Sequence, residues 1–269
     1  MKQLTFEQLR SVQMSILDKV HDFCEQHQLY YSLAGGSLLG AIRHQGYIPW
    51  DDDIDIMMPR DDYEYLLDNF TRENPDYTFF NLNSEPNPYP FLFSKLSLNG
   101  SEISNGRIKG VGINIDIFPI DSLGKNQATA KFRFSLMKVL NLFPRVQRSR
   151  KKRSNPLAER VLRLSQKLVR VIPTHWFLRA IESLCSHRLV RQSGFAVSIG
   201  SSYLSKELCE ASLYHEYTTV KFEDRHYQSI VRYDDYLSMI YGDYMQMPKK
   251  QDRENHDNVG YIQEHLLPM

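Results

Sequence analysis

Cysteine is scarce: three residues in 269, Cys24, Cys185 and Cys209, far apart and odd in number. That spacing excludes a disulfide framework or a zinc site built on paired thiols, and a reducing compartment is the simpler reading. Long apolar runs are missing as well. No window approaches the roughly 18–20 uninterrupted apolar residues that a bilayer-spanning helix needs. The opening residues, MKQLTFEQLR, lack a basic stretch followed by an apolar one, so no secretory signal is read there. A cytoplasmic protein is expected, with peripheral attachment to the inner face of the membrane left open. Net charge is nearly absent too, at +1, so only its distribution along the chain informs. No internal repeat is found.

What remains is the composition of a folded globular protein: 42% hydrophobic and 12% aromatic residues exclude disorder. The length suits one large domain, or a core with an appended helical part.

Thr5 and Gln8 form a capping box, and Leu9, Val12, Ile16, Val20 and Phe23 recur near helical spacing, predicting an amphipathic first helix. Residues 30–33 read as a short strand, Gly35-Gly36 as a tight turn, and Ser37 as the cap of a short helix carrying Leu38, Leu39 and Ile42. From Asp53 onward carboxylate and apolar side chains alternate. A strand there points Asp53 and Asp55 to one face and Ile54 and Ile56 to the other. A helix over about 61–70 and strands around 77–80, 91–98 and 113–118 complete a mixed α/β (α+β) pattern. Beyond residue 127 the texture turns helical, with Phe132, Leu136, Val139 and Leu140 in one stripe and Leu157, Val161, Leu164, Leu168 and Val171 in another. These shifts divide the chain into a catalytic core at 1–124, a basic helical region at 125–205, and a C-terminal segment at 206–269 that returns to the core.

Two aspartates at i and i+2 of a strand are costly to hold together without a cation, and magnesium favours such carboxylate oxygens. Asp116 sits centred in a second apolar run, Ile113-Asn114-Ile115-Asp116-Ile117, and supplies a third ligand. An acidic triplet such as Asp51-Asp52-Asp53 is also a common loop or helix cap. That alternative leaves unexplained an aspartate in the middle of each of two apolar runs. Gly35-Gly36-Ser37 opening a helix can bring backbone N–H groups against phosphate, and with the downstream carboxylates it forms a nucleotidyltransferase pattern.

The run Ala34-Gly35-Gly36-Ser37-Leu38-Leu39-Gly40-Ala41-Ile42-Arg43-His44, then Gly46-Tyr47-Ile48-Pro49-Trp50-Asp51-Asp52-Asp53-Ile54-Asp55-Ile56, strongly resembles the LicD/fukutin-type phosphotransferase family. Ile115-Asp116-Ile117-Phe118-Pro119 with Asp121 is similar to its third-carboxylate motif, and Tyr241-Gly242-Asp243-Tyr244-Met245 with Pro248 to its C-terminal motif. The resemblance implies a nucleotidyltransferase-type mixed sheet with flanking helices. It also implies transfer of a phospho-alcohol, typically phosphocholine, from a CDP donor such as CDP-choline to a sugar hydroxyl, releasing CMP. Asp53, Asp55 and Asp116 would then be the catalytic, metal-holding residues, for Mg2+ or Mn2+. Gly36 and Ser37 would contact the donor phosphates. Lys95 stands where the family tends to place a lysine that balances the donor's charge, though an exposed strand lysine reads the same way. Arg43, ahead of Arg60, is a further phosphate candidate; each could instead pair with a neighbouring aspartate. Arg253 and His256 follow the C-terminal motif, which is expected to close the donor site. The alternatives are a nucleotidyltransferase that releases pyrophosphate and a non-catalytic scaffold docked on a membrane.

Positive charge concentrates between Arg145 and Arg170, where Glu159 is the single acid. With its apolar stripe, this segment reads either as a basic amphipathic helix on an anionic membrane, close to a lipid-linked glycan acceptor, or as a solvated helix packed on the core. Nucleic acid is not expected, because no recognition module accompanies the charge.

Overall fold

The computed structural model describes residues 1–85, 88–104, 110–148, 160, 163, 166–167, 171–185, 189–200, 206–249, 253 and 258–267. Thr5 opens α1 (Phe6–His27) with the expected capping box, its side chain accepting the Gln8 N–H while the Gln8 side chain accepts the Thr5 N–H. Leu9, Val12, Ile16, Val20 and Phe23 are buried, so the predicted stripe is the core face of α1.

The central sheet runs in the order β2 (Ser32–Leu33), β3 (Asp55–Pro59), β7 (Asn114–Gly124), β5 (Ser94–Leu98), β4 (Tyr77–Phe80). β3 and β7 are parallel, and the other neighbours in this row are antiparallel. β8 (Phe195–Ser198) pairs with the far half of β7, and β9 (Cys209–Glu210) pairs with β8. Ile54, Ile56, Ile115 and Ile117 are fully buried, and α1 and α3 (Arg60–Glu73) pack on these central strands.

Two smaller β units brace this layer. β1 (Lys2–Gln3), β12 (Val259–Ile262) and β6 (Ser101–Ser104) form an antiparallel sheet that joins the beginning of the chain to its last strand. The hairpin of β10 (Tyr217–Phe222) and β11 (Arg225–Ile230) turns at Glu223, φ +55°, and packs beside α2 (Gly35–His44) and β2. α6 (Tyr233–Tyr241) also contacts α2.

α4 (Gln127–Arg148) and α5 (Thr174–Leu184) pair over the end of β7 and enclose a second core that includes Leu123, Phe134, Met137, Leu178, Ile181 and Val197. β7 ends at Gly124, where the helical region was expected to begin, but that region returns β8 to the sheet and so is tied to the core at both ends. Among the described residues no helix is long and apolar enough to cross a membrane.

Two expectations change. α2 begins at Gly35, not Ser37, because Gly35 takes φ +48°, a conformation open to glycine, and turns the chain from β2 into the helix with no capping side chain. α4 also turns a partly different face inward, with Leu140 of the expected stripe packed against the second core. Ala130, Phe134 and Met137 are buried while Phe132 and Val139 are exposed. The helix is apolar on two arcs, and periodicity alone does not say which arc meets the core. Of the second stripe, Leu157, Val161, Leu164 and Leu168 lie outside the described residues, as does most of 145–170.

Candidate active site

Strand register sets three charged residues in one row. Asp55 in β3 is the cross-strand partner of Asp116 in β7, and Asp116 partners Lys95 in β5. The Lys95 ammonium forms a short ion pair with Asp116 and donates to Asn114 Oδ1 at 3.0 Å. Asp53 lies just before β3, in step with Asp55; both are half-buried, and Ile54 between them is buried.

The start of α2 closes on the same carboxylates. Ser37 Oγ accepts the Asp55 N–H at 2.9 Å, and the Asp55 carbonyl accepts the Ala34 N–H at 2.9 Å. A Cβ on Gly36 would stand 2.7 Å from Asp51 Oδ2, so only glycine lets the helix and this carboxylate approach so closely. The positive end of the helix favours the negative charge gathered there.

The loop of Asp51, Asp52 and Asp53 is clamped from distant parts of the chain. Arg10 lies between the rings of Phe6 and Tyr47, 4.2 and 4.4 Å from their centroids. It donates from Nη2 to the Ile48 carbonyl at 2.7 Å and to the Asp51 carbonyl at 2.6 Å, and from Nε to Asp51 again at 3.1 Å. Gln13 Nε2 donates to the Asp52 carbonyl at 2.9 Å. The Asp52 carboxylate is buried and accepts the Asn258 N–H at 2.7 Å. Glu223 Oε1 accepts the Tyr47 N–H at 2.9 Å. One oxygen each from Asp51, Asp52 and Asp53 falls within a 4.8 Å span. Asp52 thus braces the loop from inside, and Asp51 faces α2.

Burial raises the Asp55 carboxyl well above the usual range, and Asp53, Asp116 and Asp51 push it further, with Lys95 opposing them. Such repulsion is what a bound cation relieves. Asp53, Asp55 and Asp116 would offer a cation hard carboxylate oxygens alone, a donor type that suits magnesium or manganese.

The remaining candidates make other contacts. Arg43 donates from Nη1 to the carbonyls of Tyr244 at 2.7 Å and Gln246 at 3.3 Å, and from Nε to His44 at 3.0 Å, tying α2 to the segment after α6. Arg60 makes the structural pair, donating to both oxygens of buried Asp121 at 2.8 and 2.7 Å. The Arg253 guanidinium lies 4.1 Å from the Trp50 ring centroid, beside the aspartate loop. His256 lies outside the described residues. Sequence reasoning missed Arg10, Gln13 and Asn114; the one local signal was Gln13, a polar residue on the buried face of α1.

Over 95% of this chain and 97% of the relative, the chain is 30% identical to the lipopolysaccharide cholinephosphotransferase LicD of Haemophilus influenzae. The chain belongs to the LicD family. The family's LicD/FKTN/FKRP nucleotidyltransferase domain matches residues 28–149, which include Asp53, Asp55, Lys95 and Asp116. Arg10, Glu223 and Asn258, which brace the aspartate loop, lie outside that LicD span. A shorter likeness reaches an uncharacterised protein of Rickettsia prowazekii, 39% identical over 51 residues, 19% of each chain. Another reaches an uncharacterised protein of Rickettsia typhi, 36% identical over 58 residues, 20% of this chain and 19% of that one.

Proposed function

We propose that this chain is a magnesium-dependent phosphotransferase that moves phosphocholine, or a similar phospho-alcohol, from a CDP-activated donor to a sugar hydroxyl of a cell-surface glycan precursor. It would act in the cytoplasm, on the inner side of the membrane. The observation that carries this reading is the row of Asp55, Asp116 and Lys95 across three adjacent strands, closed by the start of α2. The full-length likeness to a protein named for lipopolysaccharide cholinephosphotransfer supports it.

In this reading the sugar hydroxyl gives up its proton to solvent as its oxygen bonds to the phosphorus distal to cytidine, and the bond from that phosphorus to the bridging oxygen breaks. That oxygen leaves with CMP. Asp53, Asp55 and Asp116 would hold Mg2+, and Mn2+ would suit the same donors. The bound ion supplies neutralisation and alignment of the phosphate oxygens. Lys95, fixed by Asp116 and Asn114, offers its charge to the donor phosphates. Arg43 holds the C-terminal motif in place through two carbonyls.

Incubating the purified protein with CDP-choline, Mg2+ and a glycan acceptor tests the reading. CMP should appear together with a phosphocholine-bearing glycan, and D55N and D116N should abolish both. CMP release indifferent to D55N would sink the proposal. So would pyrophosphate release from CTP in place of CMP release from CDP-choline.

A further inference from the structure

α4 keeps a second apolar face that points away from the core. Phe132 is 70% exposed, Val139 52% and Leu142 56%, and near the start of α5 Trp176 is 65% exposed. Phe132 and Val139 stand seven residues apart, about two turns, and share one side of the helix. Lys131, Lys138 and Arg145, all exposed, repeat at the same spacing and form a basic row beside the apolar one. From Gln127 to Arg148 there is no aspartate or glutamate. α5 meets the same end of α4: Phe143 stacks on Phe177 with centroids 4.6 Å apart, and Gln147 donates to the Ile172 carbonyl at 2.8 Å. Trp176 therefore sits beside the part of α4 that carries Leu142 and Arg145.

We infer that this face of α4 and the start of α5 docks on an anionic phospholipid surface. The apolar side chains enter the boundary between headgroups and acyl chains, and the basic row meets the lipid charge. The charge pattern selects this occupant. A second copy joined through a two-fold axis would set one basic row against another, with no acid on α4 to offset it. Nucleic acid would satisfy the basic row but leave Phe132, Val139 and Leu142 without an apolar partner. Docking of this kind is independent of what the carboxylate site transfers.

Flotation of the full-length protein with phosphatidylcholine vesicles, with and without about 30% phosphatidylglycerol, tests the inference. The protein should float with the anionic vesicles and not with the neutral ones. Brominated acyl chains should quench its tryptophan fluorescence, and W176F should lose that quenching. K131Q/K138Q/R145Q should weaken partitioning on the order of a hundredfold, three basic side chains near an anionic surface being lost. F132S/V139S/L142S should lose the binding that survives high salt. Thermal melts matching wild type would show that both variants fold, and quenching of the unmodified protein needs no variant. Absence of flotation with anionic vesicles would overturn the inference. So would variants that float like wild type, a dimer dispersed by F132S/V139S/L142S with flotation unchanged, or capture of an oligonucleotide but not of vesicles.

Discussion

Arg10 grips the carbonyl of Asp51 with two nitrogens, at 2.6 and 3.1 Å, across 41 residues of sequence. The first helix thereby sets the position of the aspartate loop, and the rings of Phe6 and Tyr47 keep the guanidinium in place.

Arg10→Ala should therefore act on the site as well as on the fold. Loss of charged hydrogen bonds of this kind costs about 1.5–3 kcal/mol each in stability at most, less where water replaces them. We expect weaker Mg2+ binding by calorimetry and turnover reduced about tenfold or more, with Arg10→Lys intermediate because a point charge cannot reproduce the fork. Lower stability with unchanged Mg2+ affinity would confine Arg10 to a role in folding.

Removing one of the clustered charges should have opposite effects on stability and activity. With no metal, Asp55→Asn relieves the repulsion among Asp55, Asp53, Asp116 and Asp51 and should raise the melting temperature. Mg2+ should raise the melting temperature of wild type, through preferential binding to the folded state, and leave that of the variant unmoved. Differential scanning fluorimetry with EDTA and with Mg2+ reads both effects. An equal Mg2+ response in the two proteins would place the ion elsewhere.

Arg60 and Asp121 give a prediction that concerns stability alone. Asp121 is buried, so Arg60→Met leaves a carboxylate without its bidentate partner and should cost about 3–5 kcal/mol in urea unfolding. The double variant Arg60→Met/Asp121→Leu should recover much of that loss. Specific activity of the folded double variant should stay near wild type; a collapse in turnover would make the pair part of the reaction.

The site was legible in sequence where its signal is local. Alternation around Ile54 and Ile56, and around Ile115 and Ile117, marks two half-buried strands because the strand period is two. That Asp55 and Asp116 stand opposite each other is a matter of register between strands some sixty residues apart, which neither strand encodes alone. The bonds of Arg10 to Ile48 and of Asn258 to Asp52 are long-range and leave no periodic trace. In α4, Phe132 and Phe134 are equally apolar, and only the packing of Phe134 against the second core decides which turns inward.

Asp62, in the first turn of α3, makes stability depend on pH. Burial pushes its carboxyl up to about 6, with Asp61 adding to the rise and the Tyr30 N–H and Arg191 opposing it. An unfolded aspartate titrates near 4, so the folded state holds this proton more tightly and ionisation penalises the fold. The penalty is absent below about pH 4, grows between about 4 and 6, and is complete above. Asp62→Asn keeps an acceptor for the Tyr30 N–H. The variant should be more stable than wild type at about pH 7.5 and match it near pH 3.5 by denaturant titration. A constant difference across that range would rule out the titration of Asp62 as its cause.

The bracing of the aspartate loop has a consequence for the order of synthesis. Lys2 pairs with Ile262, and the loop is held by Arg10 near the beginning of the chain and by Glu223 and Asn258 towards its end. A ribosome that has released Asp55 and Asp116 has yet to deliver Glu223 and Asn258, two of the residues that hold their neighbours. Contacts this distant in sequence form late, after the loops between them have closed. The crowded carboxylates thus come together only after Asn258 has been made, and a nascent chain stopped before it carries every proposed metal ligand in an unfinished site.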